Sequence, residues 1–190
     1  MSGIASIALT GFFVWSGLVA PVVSEPLVQP IMSAAAEKTL TVRVTAYNAV
    51  PEQTDSTPFI TASGLPTNPE ITVARSRDLA ADLPFGTVIA LETPTKSNSC
   101  GFAAVEHLIG YRVIADTMHE RMQKKIDILF DQNDTVQIAV NGQSKKATNP
   151  ARAFGICTVT ARVVGKIDVR EIPATQSELA LLVNRSLAVK

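Results

Sequence analysis

Residues 111–131, YRVIADTMHERMQKKIDILFD, place two carboxylates where strand formers belong. The stretch predicts a strand over Tyr111–Ala115 that delivers Asp116 at its end, then a polar connector, His119–Lys125. A second strand, Ile126–Phe130, carries Asp127 near its start. Aspartate is depleted in strands, whose pleated and half-buried surface favours β-branched and aromatic side chains. Two readings follow from the residues alone. Either Asp116 caps a turn while Asp127 points to solvent, or both carboxyls stand beside one cleft, where one is held protonated as an acid. A third carboxylate, Asp55, lies in the loop NAVPEQTDSTP ahead of Ser56 and Thr57, a pattern that also suits an Asx turn.

Other reactive side chains are few. His107 and His119 are the only histidines, and they stand at no ligand spacing with Cys100 or Cys157, so no metal and no cofactor is expected. In an exported chain Cys100 and Cys157 are expected to pair as one disulfide. Asp131 and Asp134 read as a solvated turn, and Arg121, Lys124 and Lys125 as a wet charged edge.

The elements that must position these groups are short. The chain has 190 residues and a formal net charge of zero, room for one domain with a real core plus an extra segment. It has no basic run and few aromatics, which excludes the usual nucleic-acid surfaces. Ahead of Glu25, the first charged residue, Ile4–Val23 is apolar over about the span of a bilayer core. It reads as a signal peptide or N-terminal anchor, with SAAA at Ser33–Ala36 as a small-residue cleavage site. The expected location is therefore outside the cytoplasm, in the cell envelope, either membrane-anchored or released. Residues 1–36 are expected as this leader plus an extended Pro- and Ala-rich linker, 37–170 as the folded domain, and 171–190 as a C-terminal helix.

Leu40, Val42, Val44 and Ala46 alternate with Thr41, Arg43, Thr45 and Tyr47, the two-residue period of a half-buried strand. Ile71–Ala74, Thr87–Glu92 and a long run through Thr158–Val163 predict further strands, with residues 93–110 as a long loop. Thr135–Val140 and Gln143–Ala147 read as a hairpin about Asn141-Gly142. Asn149–Phe154 reads as a short helix ended by Gly155. Thr175 and Glu178 form a capping box for a helix over Gln176–Leu187, whose Leu179, Leu181 and Leu182 dock on the domain or on a partner. Short strands between Gly and Pro turns predict an all-β fold, a small barrel.

Six segments, VTAYN (Val44–Asn48), TDSTPFITASG (Thr54–Gly64), LPFGTVI (Leu83–Ile89), VIADTM (Val113–Met118), IDILF (Ile126–Phe130) and AFG (Ala153–Gly155), resemble the bacterial 3D domain in the same order. The resemblance covers about residues 40–166, and the three aspartates that name the family fall on Asp55, Asp116 and Asp127. It implies a six-stranded double-psi β-barrel with short helices, the aspartates around one groove, and the Thr135–Ala147 hairpin as an insertion. The domain is also similar to the catalytic barrel of the membrane-bound lytic transglycosylase A, which cleaves peptidoglycan glycan strands. That similarity implies a glycosidase-type activity in peptidoglycan turnover, with Asp127 as acid and base, Asp116 beside it, and Asp55, Thr61, Ser63 and Tyr47 orienting substrate. Glycan strands are then the partner, together with a membrane where the leader is retained.

Two other classes fit parts of the pattern. A non-catalytic peptidoglycan-binding module would keep the groove without needing a protonated acid. An aspartic-type peptidase would use Ala115–Thr117 as an Asp-Thr turn, but Met118 stands where such a turn has glycine, and Asp127 has no such turn.

Overall fold

The structure, a computed structural model, describes residues 31–33, 38–54, 57–92, 100–140 and 144–188. In chain order these form β1 (Lys38–Asn48), β2 (Thr72–Arg75), β3 (Thr87–Glu92), α1 (Phe102–Ile109), β4 (Tyr111–Thr117) and β5 (Lys125–Phe130). They continue as β6 (Val136–Val140), β7 (Ser144–Thr148), α2 (Pro150–Phe154), β8 (Cys157–Lys166) and α3 (Gln176–Ala188). Six strands close into a barrel in the order β1-β5-β2-β4-β3-β8, and β6 and β7 form the separate hairpin. The all-β barrel expected from the alternation is the fold of the chain. Its pairing is mixed: β1·β5 and β2·β4 are parallel, while the other ladders are antiparallel.

Alternation explains which residues fill it. Val42 and Val44 of β1, Val73 of β2, Ile114 of β4, and Ile126, Ile128 and Phe130 of β5 are buried together in the main core. Their intervening neighbours face outward. On one outer side Val88, Val113 and Val164 pack under Leu179, Leu182 and Val183 of α3, whereas Leu181 is exposed. The capping box of α3 is formed: the Thr175 amide donates to Glu178 at 3.1 Å, and the Glu178 amide to the Thr175 hydroxyl at 3.3 Å. Asn149 caps α2 through the Ala151 amide, and Gly155 ends it at a φ of 68°.

One expectation is corrected. Residues 100–110 are not loop: α1 buries Phe102, Val105 and Ile109, and the disulfide Cys100–Cys157, with Cα atoms 5.4 Å apart, holds its start to β8. Gly101 lies against the Ala153 carbonyl, where a side chain has no room. Eight residues bounded by tertiary contacts carry too short a periodic signal to stand out from a loop. The described part of the linker, residues 31–33, lies against the barrel. Met32 is buried against Gly165, and Ser33 exchanges backbone hydrogen bonds with Lys166 at 2.8 and 3.0 Å. Lys38 pairs with Val163, and beyond that pair Lys166 is bridged to Ser33. The rest of the leader and linker, residues 1–30 and 34–37, lies outside the described residues. Among the described residues no helix is long and apolar enough to cross a membrane.

Candidate active site

The site is built around Ala74 of β2. Ala74 pairs with Asp127 of β5 on one side and with Asp116 of β4 on the other. Residues at one level on adjacent strands share a face of the sheet, and two strand spacings set the carboxyl-bearing Cα atoms roughly 10 Å apart. A bulge produces this alignment. Val73 pairs with Ile114, but the next pair is Ala74 with Asp116, so Ala115 is an extra residue in β4. Ile114 points into the core, and strict alternation would send Asp116 inward with it. The extra residue re-aims Asp116 toward Ala74 and Tyr47. Alanine at position 74 leaves open the space that a larger side chain would fill.

The two carboxyls differ in their surroundings. Asp116 accepts three hydrogen bonds: to Oδ1 from the Ala62 and Thr117 amides, each at 2.8 Å, and to Oδ2 from the Tyr47 hydroxyl at 3.2 Å. Tyr47 is itself buried, and its phenol is pushed up, first by that burial and then by the two neighbouring carboxylates. It therefore stays a neutral donor. Asp127 accepts from the Thr45 hydroxyl at 2.8 Å. Its carboxyl is pushed up to about 6, chiefly by burial; the charge of Asp116 adds to this, while the Thr45 hydrogen bond and the charge of Lys125 oppose it. One carboxyl is thus pinned by donors, and the other can carry a proton close to neutral pH.

Both stand in a cleft of about 1040 Å³ whose walls also include Tyr47, Thr61, Met118 and Met122. Of the residues expected at the site, Tyr47, Asp116 and Asp127 come together here. Thr61 lines the cleft wall, but its hydroxyl bonds to Ser63 Oγ at 2.9 Å and lies 3.0 Å from the Leu65 carbonyl. Ser63 donates its amide to the Ala115 carbonyl at 3.2 Å, so the 61–65 turn is tied to the bulge. Through that turn the Ala62 amide reaches Asp116. Asp55 lies outside the described residues. Among the described residues, no group of three or more His, Cys, Asp or Glu could hold a metal ion.

Two contributors escape a reading of the sequence for reactive groups. Thr45 is the direct register partner of Asp127, and its only signal is that it alternates with core-facing Val44. Arg112 is fully buried, and among the described residues it makes no ion pair, although the charge of Glu70 acts on it. Its guanidinium donates to the carbonyls of Leu108, Ile109, Pro69 and Leu129 at 2.5, 2.7, 2.6 and 3.1 Å and lies over the Phe130 ring. It joins α1, the 65–71 loop and β5 beneath the site. Its signal is a lone charge inside the apolar run YRVIA.

No protein-family model matches the chain, and no curated protein matches it.

Proposed function

We propose that the chain is an exported 3D-domain protein of double-psi barrel type that cleaves peptidoglycan glycosidic bonds as a lytic transglycosylase does. The observation that carries this reading is the unequal carboxyl pair: a half-buried Asp127 with a pKa of about 6 beside an Asp116 fixed by three donors, both lining one long cleft. A group poised near neutral pH is what acid–base chemistry on an acetal requires. The closed barrel of six strands supports the reading, since six strands are what the resemblance implies.

The mechanism needs one residue in two roles. Protonated Asp127 gives its proton to the bridging oxygen as the muramyl C1–O bond breaks. The carboxylate so formed then takes the proton of the muramyl C6 hydroxyl, whose oxygen bonds to C1 and closes a 1,6-anhydro ring. No water enters, and Asp127 ends protonated. Burial raises Asp127 first, the charge of Asp116 adds to it, and Asp116 with its bond from Tyr47 shapes the wall beside it. The Cys100–Cys157 disulfide favours an oxidising compartment and, with the apolar leader, supports a place in the cell envelope.

Digestion of purified sacculi by the protein, read by mass spectrometry, tests the reading. Anhydro-muramyl products are expected, and Asp127→Ala abolishes them. A hydrolytic product would replace the mechanism. Wild-type protein that binds sacculi and releases nothing, with Asp127→Asn binding equally, would mark a binding module instead.

A further inference from the structure

Met32 and Ser33 precede the barrel in sequence, and β8 is shaped to receive them. Glycine weakens a strand interior, and its usual reasons there are a special backbone conformation or a close neighbour. Gly165 does not lie at positive φ, so its backbone would accept any side chain. What excludes one is Met32: a Cβ on Gly165 would come within 2.7 Å of the methionine Cε and 2.8 Å of its Sδ. Met32 is 9% exposed and packs in the cluster that Val164, Leu179, Leu182 and Val183 form under α3. Beside it Ser33 and Lys166 exchange backbone hydrogen bonds at 2.8 and 3.0 Å, and the Ser33 hydroxyl donates to the Lys166 carbonyl at 3.2 Å. A barrel that worked without residues 31–33 would have no use for glycine at 165. It would also leave an apolar notch and an unpaired strand end in water.

We infer that the chain is not trimmed at the SAAA segment, and that residues 31–33 strap the barrel to a retained leader held in the lipid bilayer. Between Val23, where the apolar run ends, and Glu37, the small-residue pattern A-x-A of a cleavage site occurs only within Ser33–Ala36. Cleavage there discards Met32 and the Ser33 hydrogen bonds. Keeping Met32 therefore keeps Ile4–Val23, whose length and lack of charge suit a bilayer core. The strap also shortens the tether. Residues 24–31 reach at most about 28 Å when fully extended, against about 49 Å for a chain free up to residue 37. It joins the barrel at a particular end. Because β3 runs antiparallel to both β4 and β8, Lys166 ends β8 on the side where β4 delivers Asp116. The cleft thus lies at the barrel end nearer the bilayer, whatever chemistry Asp127 performs.

Full-length protein produced in bacterial cells, with a tag after Lys190, tests both halves of the inference. Intact mass is expected to show the leader still attached, on protein that stays in the membrane fraction and is released by detergent but not by high salt or alkaline carbonate. A form starting at Glu37 overturns the inference, and so does any form starting between Ser24 and Ile31. The packing is read from melting temperatures of the detergent-extracted full chain. Gly165→Ala is expected to lower Tm by about 5 °C, and by less than half as much when Met32→Ala is already present, because the added methyl then has room. Equal losses in the two backgrounds would mean that the glycine does not accommodate Met32, and would overturn the strap. Neither measurement uses cleavage activity, so failure of the glycan-cleaving reading leaves this test standing.

Discussion

Thr45 donates its hydroxyl to Asp127 Oδ1 at 2.8 Å from the position directly across the β1·β5 ladder. That bond favours the ionised carboxyl and so works against the burial that raises it. An acid that must be protonated to act loses activity above its pKa, so kcat/KM should fall about tenfold per pH unit above roughly pH 6. Thr45→Val removes the opposing bond and leaves the burial. Its alkaline limb should move to higher pH, by about half a unit to one unit. A pH profile of sacculus digestion measures it, and a limb shifted toward acid would contradict the assignment of Asp127.

Asp127 also makes stability depend on pH in a direction opposite to most aspartates. Its folded pKa of about 6 lies above the ordinary value of 3.8. The folded state therefore holds the proton more tightly between those limits, and stability is lost as pH rises through them. Below about pH 4 the side chain is neutral in both states; above about pH 7 the full cost of a buried charge is present. At about 1.36 kcal/mol per pKa unit that cost is roughly 3 kcal/mol. Asp127→Asn keeps an acceptor for Thr45 and carries no charge. It should stabilise the fold by about 2 to 3 kcal/mol at pH 8 and by little at pH 4, read from urea denaturation at the two pH values, while abolishing cleavage.

How much of this was legible beforehand follows from which signals are local. The alternation of Leu40–Tyr47 marks β1, and Thr175 with Glu178 marks the start of α3, because each pattern lies within a few residues. Strand order does not announce itself: β1·β5 joins segments some eighty residues apart, and parallel ladders leave no turn between their members. Asp116 and Asp127 stand out as carboxylates in strands. Their convergence rests on two alanines, Ala74 between them and Ala115 as the bulge, and an alanine in a strand advertises neither role. Lys124, at a φ of 49° in the connector, is equally silent, since glycine is the residue that signals that conformation.

Met32 provides a test of how far the folded unit extends toward the N-terminus. Its side chain is buried against Gly165 and the cluster under α3. Met32→Ala should lower stability by about 2 kcal/mol, as truncation of a core methionine does. A protein starting at Glu37, the product of cleavage after SAAA, should lose at least as much, since the Ser33–Lys166 hydrogen bonds go too. Equal melting temperatures for the long and the trimmed forms would show that the segment adds nothing.

The disulfide closes a loop spanning a sequence separation of 57 residues. On chain entropy alone a cross-link of that length contributes about 4 kcal/mol. Replacing Cys100 and Cys157 together by Ser should approach that loss and loosen α1 first, because the bridge holds the helix start to β8. Hydrogen exchange of the α1 amides against those of β1 and β5 reads this directly, with α1 losing protection before the barrel does.

Arg112 gives the sharpest test of how the site is held from below. Its four carbonyl partners come from α1, the 65–71 loop and β5, three segments that share no backbone ladder at this point. Burial pulls the guanidinium down to about 9, so it is charged at neutral pH and its hydrogen bonds are charge-assisted. Arg112→Met fills similar volume but takes a donor from the carbonyls of Leu108, Ile109, Pro69 and Leu129, a cost of about 1 to 3 kcal/mol for each that neither water nor a second donor, as Gln176 is for Ile109, can satisfy. A total loss above about 3 kcal/mol is expected in urea denaturation, and Arg112→Lys should recover only part of it, since one ammonium cannot span four carbonyls set around a planar fork. Because β5 carries Asp127 three residues before Phe130, over whose ring the guanidinium lies, the surviving folded fraction should also cleave less per molecule. A variant that keeps full stability and full activity would mean that the guanidinium neither braces the barrel nor positions Asp127.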